Sequence, residues 1–305
     1  MNPGAVLALV LASALWGTTG TAASFFPDDV SPIAVGSATM GIGGIVLFAL
    51  AGRRAVSVLR SRVPRRWVAL GALGVVVYPL AFYSGMDLAG VAVGNVVALG
   101  SGPVFSALLE WLLERRPLSR RWLIATALAV VGIAALATSR ALFGYTESGE
   151  GRAGDAPLAG IAVALIAGLA YALYTYASGR AIAAGGTSRG VMAAMFGLGG
   201  VALVPVLAAT GAPLLQSPDT VGIAGYLVLG PMVLAYLLFG IGVRELRSSH
   251  VTTITLLEPV VATLLAVVVV GERLAPLGWG GVALILLGLS VLVSARRTPF
   301  VSERI

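Results

Sequence analysis

Apolar segments of about twenty residues alternate with short polar segments along the whole chain. A helix needs about 20 largely apolar residues to cross the hydrocarbon core of a bilayer. By that measure the sequence predicts ten membrane-spanning helices and therefore an all-α integral membrane protein. The predicted spans are Ala5–Phe26, Pro32–Ala51, Trp67–Leu88, Val91–Leu113, Trp122–Thr138, Leu158–Ile182, Gly190–Thr210, Val221–Val243, Val251–Val270 and Leu277–Ser294.

Arginine residues follow the same alternation and predict the orientation. Every basic residue is an arginine, and 17 of the 20 fall in loops two, four, six and eight or in the tail after the last span. Arg140, Arg152 and Arg273 are the three on the other side. Because positive residues favour cytoplasmic loops, both termini are predicted to lie in the cytoplasm. We expect a multi-pass protein of the bacterial inner (plasma) membrane.

A repeat relates the two halves of the chain. Two pairs of motifs lie 156 positions apart, Pro103-Val104 with Pro259-Val260 and Leu108-Leu109 with Leu264-Leu265. Each half has five spans, an odd number, so the second half must enter the membrane from the opposite side. Such inverted-topology repeats are typical of transporters. The sequence thus predicts one five-helix repeat at residues 1–140, a polar, Gly-rich extracytoplasmic linker at 141–156, and a second five-helix repeat at 157–305.

Composition excludes several classes of function. The chain is 58% hydrophobic and only 11% charged, against about 25% charged residues in an average soluble domain. It has no Cys and a single His, His250, which excludes disulfides, thiolate metal sites and His clusters, so no cofactor is expected. The formal charge is +7, and in other proteins a positive charge of this kind can indicate nucleic-acid binding. Here the arginines are confined to loops between spans, so no nucleic-acid partner is expected.

One carboxylate lies inside a predicted span. Glu258 is near the middle of Val251–Val270, and Pro259 follows it directly. A charge at the centre of a spanning helix costs roughly 2.5–3.5 kcal/mol and normally faces a wet cavity or a solute pathway. Glu258 is therefore a candidate for binding a solute ammonium group or for carrying a proton. The structural alternative is a protonated carboxyl group hydrogen-bonded to a neighbouring helix.

Prolines and aromatic residues inside the spans supply the other site candidates. Proline lacks an N–H and clashes with the preceding turn, so helix kinks are predicted at Pro79, Pro103 and Pro259. A buried Tyr hydroxyl needs a partner, which a wet cavity can supply, and the alternative for each aromatic residue is ordinary core packing. The candidates for lining a solute cavity are Trp16, Tyr78, Tyr83, Tyr171 and Tyr174, with Asn95 as the most polar uncharged one.

Residues near the ends of spans have plainer interpretations. Glu110 and Glu114 are expected to form interfacial ion pairs beside Arg115. Small residues spaced four apart predict close helix contacts, within the fold or at a dimer interface, and they are Gly90 with Gly94, and Gly160 with Ala164 and Gly168. Tyr and Trp at span ends usually form an interfacial belt, which is expected of Trp67, Trp111, Trp122, Tyr226 and Trp279.

These features together resemble a known family. Glu258-Pro259 followed by Gly271-Glu272-Arg273, the first-half pattern Pro103 with Glu114-Arg115, and Trp16-Gly17 are similar to the EamA family of the drug/metabolite transporter superfamily. The resemblance covers essentially the whole chain. It implies a ten-helix transporter whose members export amino acids, other metabolites or drugs. Among them the chain looks most like the bacterial amino-acid exporters, including those for aromatic amino acids.

The leading functional prediction is a secondary transporter that exports small amphipathic metabolites, amino acids first, by alternating access. Its partners are then a small-molecule substrate and membrane lipid, and monomer and homodimer stay open. A multidrug efflux carrier is the alternative within the superfamily, and a channel would be separated from a carrier by its single-channel conductance. A membrane-embedded enzyme would need clustered His or carboxylates, so no enzymatic activity is expected. Proton antiport and facilitated diffusion both fit one buried carboxylate.

Overall fold

A computed structural model describes residues 1–115, 117–143, 156–271 and 273–294. Within these residues, ten helices are long and apolar enough to cross a membrane, which confirms the predicted number of spans and the all-α class. Predicted features at Arg116, Glu272, residues 144–155 of the linker and the tail from residue 295 lie outside the described residues. The ten helices are α1 (Pro3–Ala23), α2 (Pro32–Ala51), α3 (Arg62–Ala89), α4 (Val91–Glu114), α5 (Arg120–Phe143), α6 (Pro157–Ala183), α7 (Ser188–Thr210), α8 (Pro218–Glu245), α9 (Ser248–Val269) and α10 (Pro276–Val293).

Several helices are longer than their apolar runs. Helix α3 begins at Arg62, five residues before the predicted start at Trp67, because a helix continues into the polar interface beyond the segment that hydrocarbon requires. A separate short helix, Arg53–Arg60, occupies part of the predicted loop two. Ala55 and Val58 on it are buried, while its arginines are exposed. This amphipathic spacing explains why an arginine-rich segment is helical here.

Local sequence signals fix where several helices begin. The side chains of Asn2, Ser31 and Thr187 accept hydrogen bonds from backbone N–H groups of the first turns of α1, α2 and α7. These caps satisfy N–H groups that have no partner within the helix. Proline stands at the first positions of α1, α2, α6, α8 and α10, where its missing N–H costs nothing.

The packing pairs of helices repeat with a period of five. When five is added to both helix numbers, counting on from α1 after α10, one packing pair becomes another. Helix α2 packs against α7 and α5 against α10, while α3 and α4 both pack against α6, as α8 and α9 pack against α1. Helix α4 also contacts α9. This is the packing that two structurally equivalent five-helix units produce when they face each other. Each of these pairs joins a helix of the first half of the chain to a helix of the second half, and α1, α3, α4, α6, α8 and α9 include the helices that surround the centre.

Glycines bring paired helices into backbone contact. A Cβ atom at Gly132 would lie 2.6 Å from the carbonyl oxygen of Gly281, and one at Gly281 would lie 2.6 Å from that of Gly132. The predicted ladder of Gly160, Ala164 and Gly168 also lies within the fold, against α3 and α4. Small residues of this kind allow helices to approach closely in lipid.

Several segments of the bundle depart from regular α-helix. Gly90 alone joins α3 to α4, with a φ of 87° that suits glycine. Helix α8 contains a π-helical segment at Val228–Leu234 that includes Pro231. Helix α9 is interrupted by a 3₁₀ turn at Thr255–Leu257, and a regular helical segment begins again at Glu258. By contrast, α4 is continuous through Pro103, so the symmetry-related prolines Pro103 and Pro259 lie in different local structures.

Candidate functional site

A cavity of about 130 Å³ lies where α1, α2, α3, α4, α6, α8 and α9 meet. Its lining is mainly apolar and aromatic, with a few hydroxyl groups and one carboxylate. The lining residues are Trp16, Thr19, Gly36, Thr39, Met40, Tyr78, Pro79, Phe82, Tyr83, Leu99, Tyr171, Tyr174, Leu227, Pro231, Met232, Tyr236, Thr255, Leu256 and Glu258.

Aromatic rings form a continuous wall around this cavity. Tyr78 on α3 stacks on Phe82 with ring centroids 5.5 Å apart, and its ring is 5.9 Å from that of Tyr171 on α6. On the other side, Trp16 of α1 lies 5.0 Å from Tyr236 of α8. Ring separations of 4.5–7 Å are those of favourable aromatic contacts. The wall therefore joins helices from both halves of the chain around one space.

Most polar groups of the wall are already hydrogen-bonded to the protein. The Nε1 of Trp16 donates to the carbonyl oxygen of Pro231 at 2.8 Å, in the π-helical segment of α8. The hydroxyls of Tyr171 and Thr255 lie 2.6 Å apart, and those of Tyr174 and Tyr236 lie 3.1 Å apart. Since these bonds cross between helices, they fix the ring orientations and leave few free donors.

Of the residues that the structure describes, Glu258 is the only charged one that lines the cavity. It follows the 3₁₀ turn of α9 and is half-buried. Its carboxylate lies within electrostatic range of the hydroxyl groups of Tyr78 and Tyr83. Among the residues that the structure describes, no arginine forms an ion pair with it. A carboxylate with this placement can bind a cationic group of a solute or exchange a proton.

The structure brings most of the sequence-predicted candidates together. Trp16, Tyr78, Tyr83, Tyr171, Tyr174 and Glu258 all line the cavity, as does Pro79. Asn95 does not; it is half-buried on α4, one helical turn nearer the Gly90 turn than Leu99, the α4 residue that reaches the cavity. Pro103 lies outside the lining, and Pro259 follows Glu258 without lining the cavity itself.

Several lining residues were not among the sequence-predicted site residues. Tyr236 is buried beside Trp16 and Tyr174, and Pro231 supplies the carbonyl that fixes Trp16. Both lie near the middle of the apolar run Val221–Val243 of α8, so depth within the span was the available signal. Nothing in a single sequence indicates that α8 becomes π-helical at this point.

Buried polar contacts close the end of the bundle at which α4 ends and α9 begins. We call this end the loop-four end. Glu110 is 3% exposed and accepts hydrogen bonds from the backbone N–H and the hydroxyl of Ser249, at 3.0 and 2.9 Å. Its nearest cation is Arg247 at 3.6 Å. The prediction that Glu110 forms an interfacial ion pair beside Arg115 is wrong, because the Glu110 side chain faces α9 in the interior of the bundle.

Trp122 belongs to this closed end too. It is 4% exposed, and its Nε1 donates to the Ser249 carbonyl at 3.1 Å and to the Thr253 hydroxyl at 3.2 Å. The prediction that Trp122 joins an interfacial belt is therefore wrong, since its ring packs inside the protein. Trp111, Tyr226 and Trp279 are 54, 44 and 46% exposed, as the belt prediction requires.

A second ion pair joins the halves at the loop-four end. Arg180 of α6 lies 3.2 Å from Glu114 of α4, and its guanidinium lies 5.5 Å from the centre of the Trp67 ring. Trp67 in turn contacts Tyr176 edge-on at 6.0 Å. Glu114 thus reaches across to the second half of the chain, where Arg115 had been the expected partner.

The cavity is displaced from this closed end. Trp16 and Thr19 lie in the second half of α1, and Gly36 and Thr39 lie in the first half of α2. The cavity is therefore nearer the end at which α1 ends and α2 begins. One end of the bundle is packed and hydrogen-bonded, and the other holds the space that a solute could occupy.

In the described part of the chain, no three His, Cys, Asp or Glu side chains come together as they would to bind a metal ion.

Comparisons with known proteins indicate transport. Residues 3–138 and 158–294 each match the EamA-like transporter family. The chain is 33% identical over 302 residues to the uncharacterized transporter YwfM of Bacillus subtilis (strain 168), covering 97% of this chain and 96% of that protein.

Two further comparisons agree with that match. An uncharacterized transporter of Clostridium kluyveri is 28% identical over 159 residues, which cover 51% of this chain and 50% of that protein. A solved crystal structure superposes with a TM-score of 0.77 at 24% identity, covering 96% of this chain and 97% of that chain. The structural match shows that the ten-helix fold is shared.

Proposed function

The chain belongs to the EamA-like transporter family, and from that premise we propose that it exports small amphipathic solutes that carry an amino group, amino acids among them, by alternating access. The observation that carries the proposal is the position of Glu258, a carboxylate without a cationic partner among the described residues, in an aromatic cavity between the two halves. An ammonium group supplies the missing charge, and the rings supply surface for an apolar body.

Cavity size favours a small metabolite over the multidrug alternative. Pockets for drug-sized ligands usually enclose about 300–1,000 Å³, whereas this cavity encloses about 130 Å³. Interhelical hydrogen bonds such as Tyr171–Thr255 also make its wall less adaptable. A broad-specificity carrier needs a surface that can repack. We therefore place multidrug efflux second.

The difference between the two ends supports alternating access. Glu110, Ser249 and Trp122 close the loop-four end, while the cavity lies toward the other. If the arginine-rich loops are cytoplasmic, the closed end faces the cytoplasm and the cavity faces outward. Export then requires these contacts to open so that solute can enter from the cytoplasm, and to re-form for its release.

The moving units in this proposal are the two repeats. The family matches fall on residues 3–138 and 158–294, and the helix pairs exchange under a shift of five. We propose units at 1–140 and 157–305, joined by the linker 141–156, which rock about the cavity between them. Solute sites between repeats are common in transporters built this way.

A substrate panel in proteoliposomes tests the proposal. Purified full-length protein is reconstituted, and efflux of radiolabelled amino acids and amines is measured with and without a pH gradient. We expect saturable movement of at least one amino-group solute, which Glu258→Gln reduces and Asp28→Asn leaves unchanged, because Asp28 is an exposed loop residue. Failure of every amino-group solute to move saturably would refute the proposal. The response to the pH gradient distinguishes proton antiport from facilitated diffusion.

A further inference from the structure

The charges around the cavity allow the substrate class to be narrowed, a step that rests on the proposed transport function. Among the described residues that line the cavity, Glu258 alone is charged. A solute with an ammonium group would balance that charge. A zwitterionic amino acid would bring a second carboxylate into the same space.

The ammonium side of such a solute has well-placed partners. Glu258 offers a carboxylate, and the aromatic wall offers ring faces, among them those of Tyr78 and Trp16. Cations are attracted to aromatic faces within about 6 Å, and most strongly where water is excluded. These two kinds of group recognise positive charge together.

The carboxylate side of an amino acid has no comparable partner. No arginine or histidine of the described ranges lines the cavity, and its strongest neutral hydrogen-bond donors are already paired within the protein. Trp16 donates to Pro231, and the hydroxyls of Tyr171 and Thr255 bond to each other. Among the described hydroxyl groups that line the cavity, those of Thr19, Tyr78 and Tyr83 are the ones without a hydrogen bond to the protein.

The short distance between the two charged groups of an α-amino acid adds a repulsion to this lack of partners. The carboxylate of an α-amino acid is attached to the same carbon as its amino group. An ammonium group seated on Glu258 therefore holds the solute carboxylate close to the Glu258 carboxylate. Like charges a few ångströms apart in a partly desolvated site repel strongly, and a buried charge without a partner is costly.

We infer that this cavity selects monovalent organic amines, solutes with one ammonium group, an apolar body and no carboxylate, over zwitterionic amino acids. Glu258 is the specificity-determining residue, because its carboxylate attracts the ammonium group of a solute and repels a solute carboxylate. Amino acids whose carboxyl group is removed or converted to an amide fit the same description.

Four compounds with one phenyl body test the inference: 2-phenylethylamine, phenylalanine amide, phenylalanine and 3-phenylpropionate. Binding to the purified full-length protein is measured by titration calorimetry, and transport by counterflow in proteoliposomes. We expect the amine and the amide to bind at least about tenfold more tightly than phenylalanine, and 3-phenylpropionate to bind most weakly. Glu258→Gln should abolish this preference, while Glu258→Asp and Asp28→Asn should retain it.

The outcomes separate the inference from the function on which it rests. Equal or tighter binding of phenylalanine overturns the inference, as does a preference that survives in a folded Glu258→Gln protein. If Glu258→Gln does not elute as a folded species, the ranking of the four compounds on the unaltered protein still decides. Amine-selective binding, together with failure of every amino-group solute of the transport panel to move, refutes the proposed function and leaves the selectivity standing. Absence of binding of all four compounds overturns the inference, while the transport panel alone decides the proposed function.

Discussion

The carboxylate of Glu110 on α4 caps the first turn of α9 at Ser249, 139 positions further along the chain. A carboxylate at the N-terminus of a helix is favourable because it meets unpaired N–H groups and the positive end of the helix dipole. Here the cap joins the two halves of the protein. It also fixes the start of the helix that carries Glu258 into the cavity.

Replacing Glu110 by Gln should destabilise the protein. The two Ser249 hydrogen bonds go to different carboxylate oxygens of Glu110, and in Gln one of these becomes an NH2 donor. The ion pair with Arg247 at 3.6 Å is also lost. Leaving buried groups of this kind unpaired costs about 1–3 kcal/mol. We expect a lower thermal midpoint for Glu110→Gln in detergent, followed by tryptophan fluorescence, and no change for Asp28→Asn. An unchanged midpoint for both would show that the cap contributes nothing to stability.

The sequence predicted the ten helices because the bilayer imposes a length on each apolar run, and their chain order follows directly. It predicted much of the cavity because Tyr78, Tyr83, Tyr171 and Tyr174 lie deep in spans, where a hydroxyl is costly without a partner. Glu258 was predicted in the same way, because a charge inside a span is costly without a partner. Each of these predictions depends only on a single apolar segment and the surrounding bilayer, so the local sequence is enough to make it.

What the sequence did not predict depends on partners that are distant along the chain. Glu110 and Trp122 were assigned to the interface from their positions near span ends, yet both face Ser249 from another repeat. The π-helical segment of α8 places Pro231 against Trp16, and that geometry depends on how α1 packs. Asn95 shows the converse, since a polar residue in a span need not reach the cavity.

Replacing Glu258 by Gln should reduce transport at least about tenfold at equal expression, because the side chain keeps its size and loses the charge that balances an ammonium group. The measurement is the initial rate of efflux of a saturably transported solute from proteoliposomes. Glu110→Gln is a poor control, since Glu110 is buried and caps α9. Asp28→Asn is the matched control. Equal rates for Glu258→Gln and Asp28→Asn would remove Glu258 from the pathway.

The ring of Tyr78 should matter more than its hydroxyl group. Tyr78 lies between Phe82 and Tyr171, and its hydroxyl forms no hydrogen bond with the described residues. Tyr78→Phe keeps the aromatic face and should bind an amine almost as well as the unaltered protein. Tyr78→Leu should weaken binding about two- to thirtyfold, the range of a lost cation–π contact. Titration calorimetry of both variants with 2-phenylethylamine checks this, and a larger loss in Tyr78→Phe would contradict it.

Neighbouring glycines on α10 should respond differently to the same substitution. A Cβ at Gly281 would meet the Gly132 carbonyl at 2.6 Å, whereas one at Gly280 would meet nothing within 4 Å. Gly281→Ala should therefore force α5 and α10 apart at a cost of about 1–3 kcal/mol. Gly280→Ala should be neutral or slightly stabilising, because alanine favours a helix interior. Thermal midpoints in detergent measure both effects, and equal midpoints would contradict close packing of α5 on α10.

The orientation in the membrane can be determined by labelling single cysteines, because the chain contains no Cys. Asp28 lies exposed between α1 and α2, and Ser61 lies exposed between the short helix Arg53–Arg60 and α3. If the arginine-rich loops are cytoplasmic, a membrane-impermeant maleimide should label Asp28→Cys in intact cells and Ser61→Cys only after permeabilisation. The reverse pattern would place both termini outside. It would also make the cavity face the cytoplasm in this structure, and solute would then enter it from that side without the Glu110–Ser249 contact opening first.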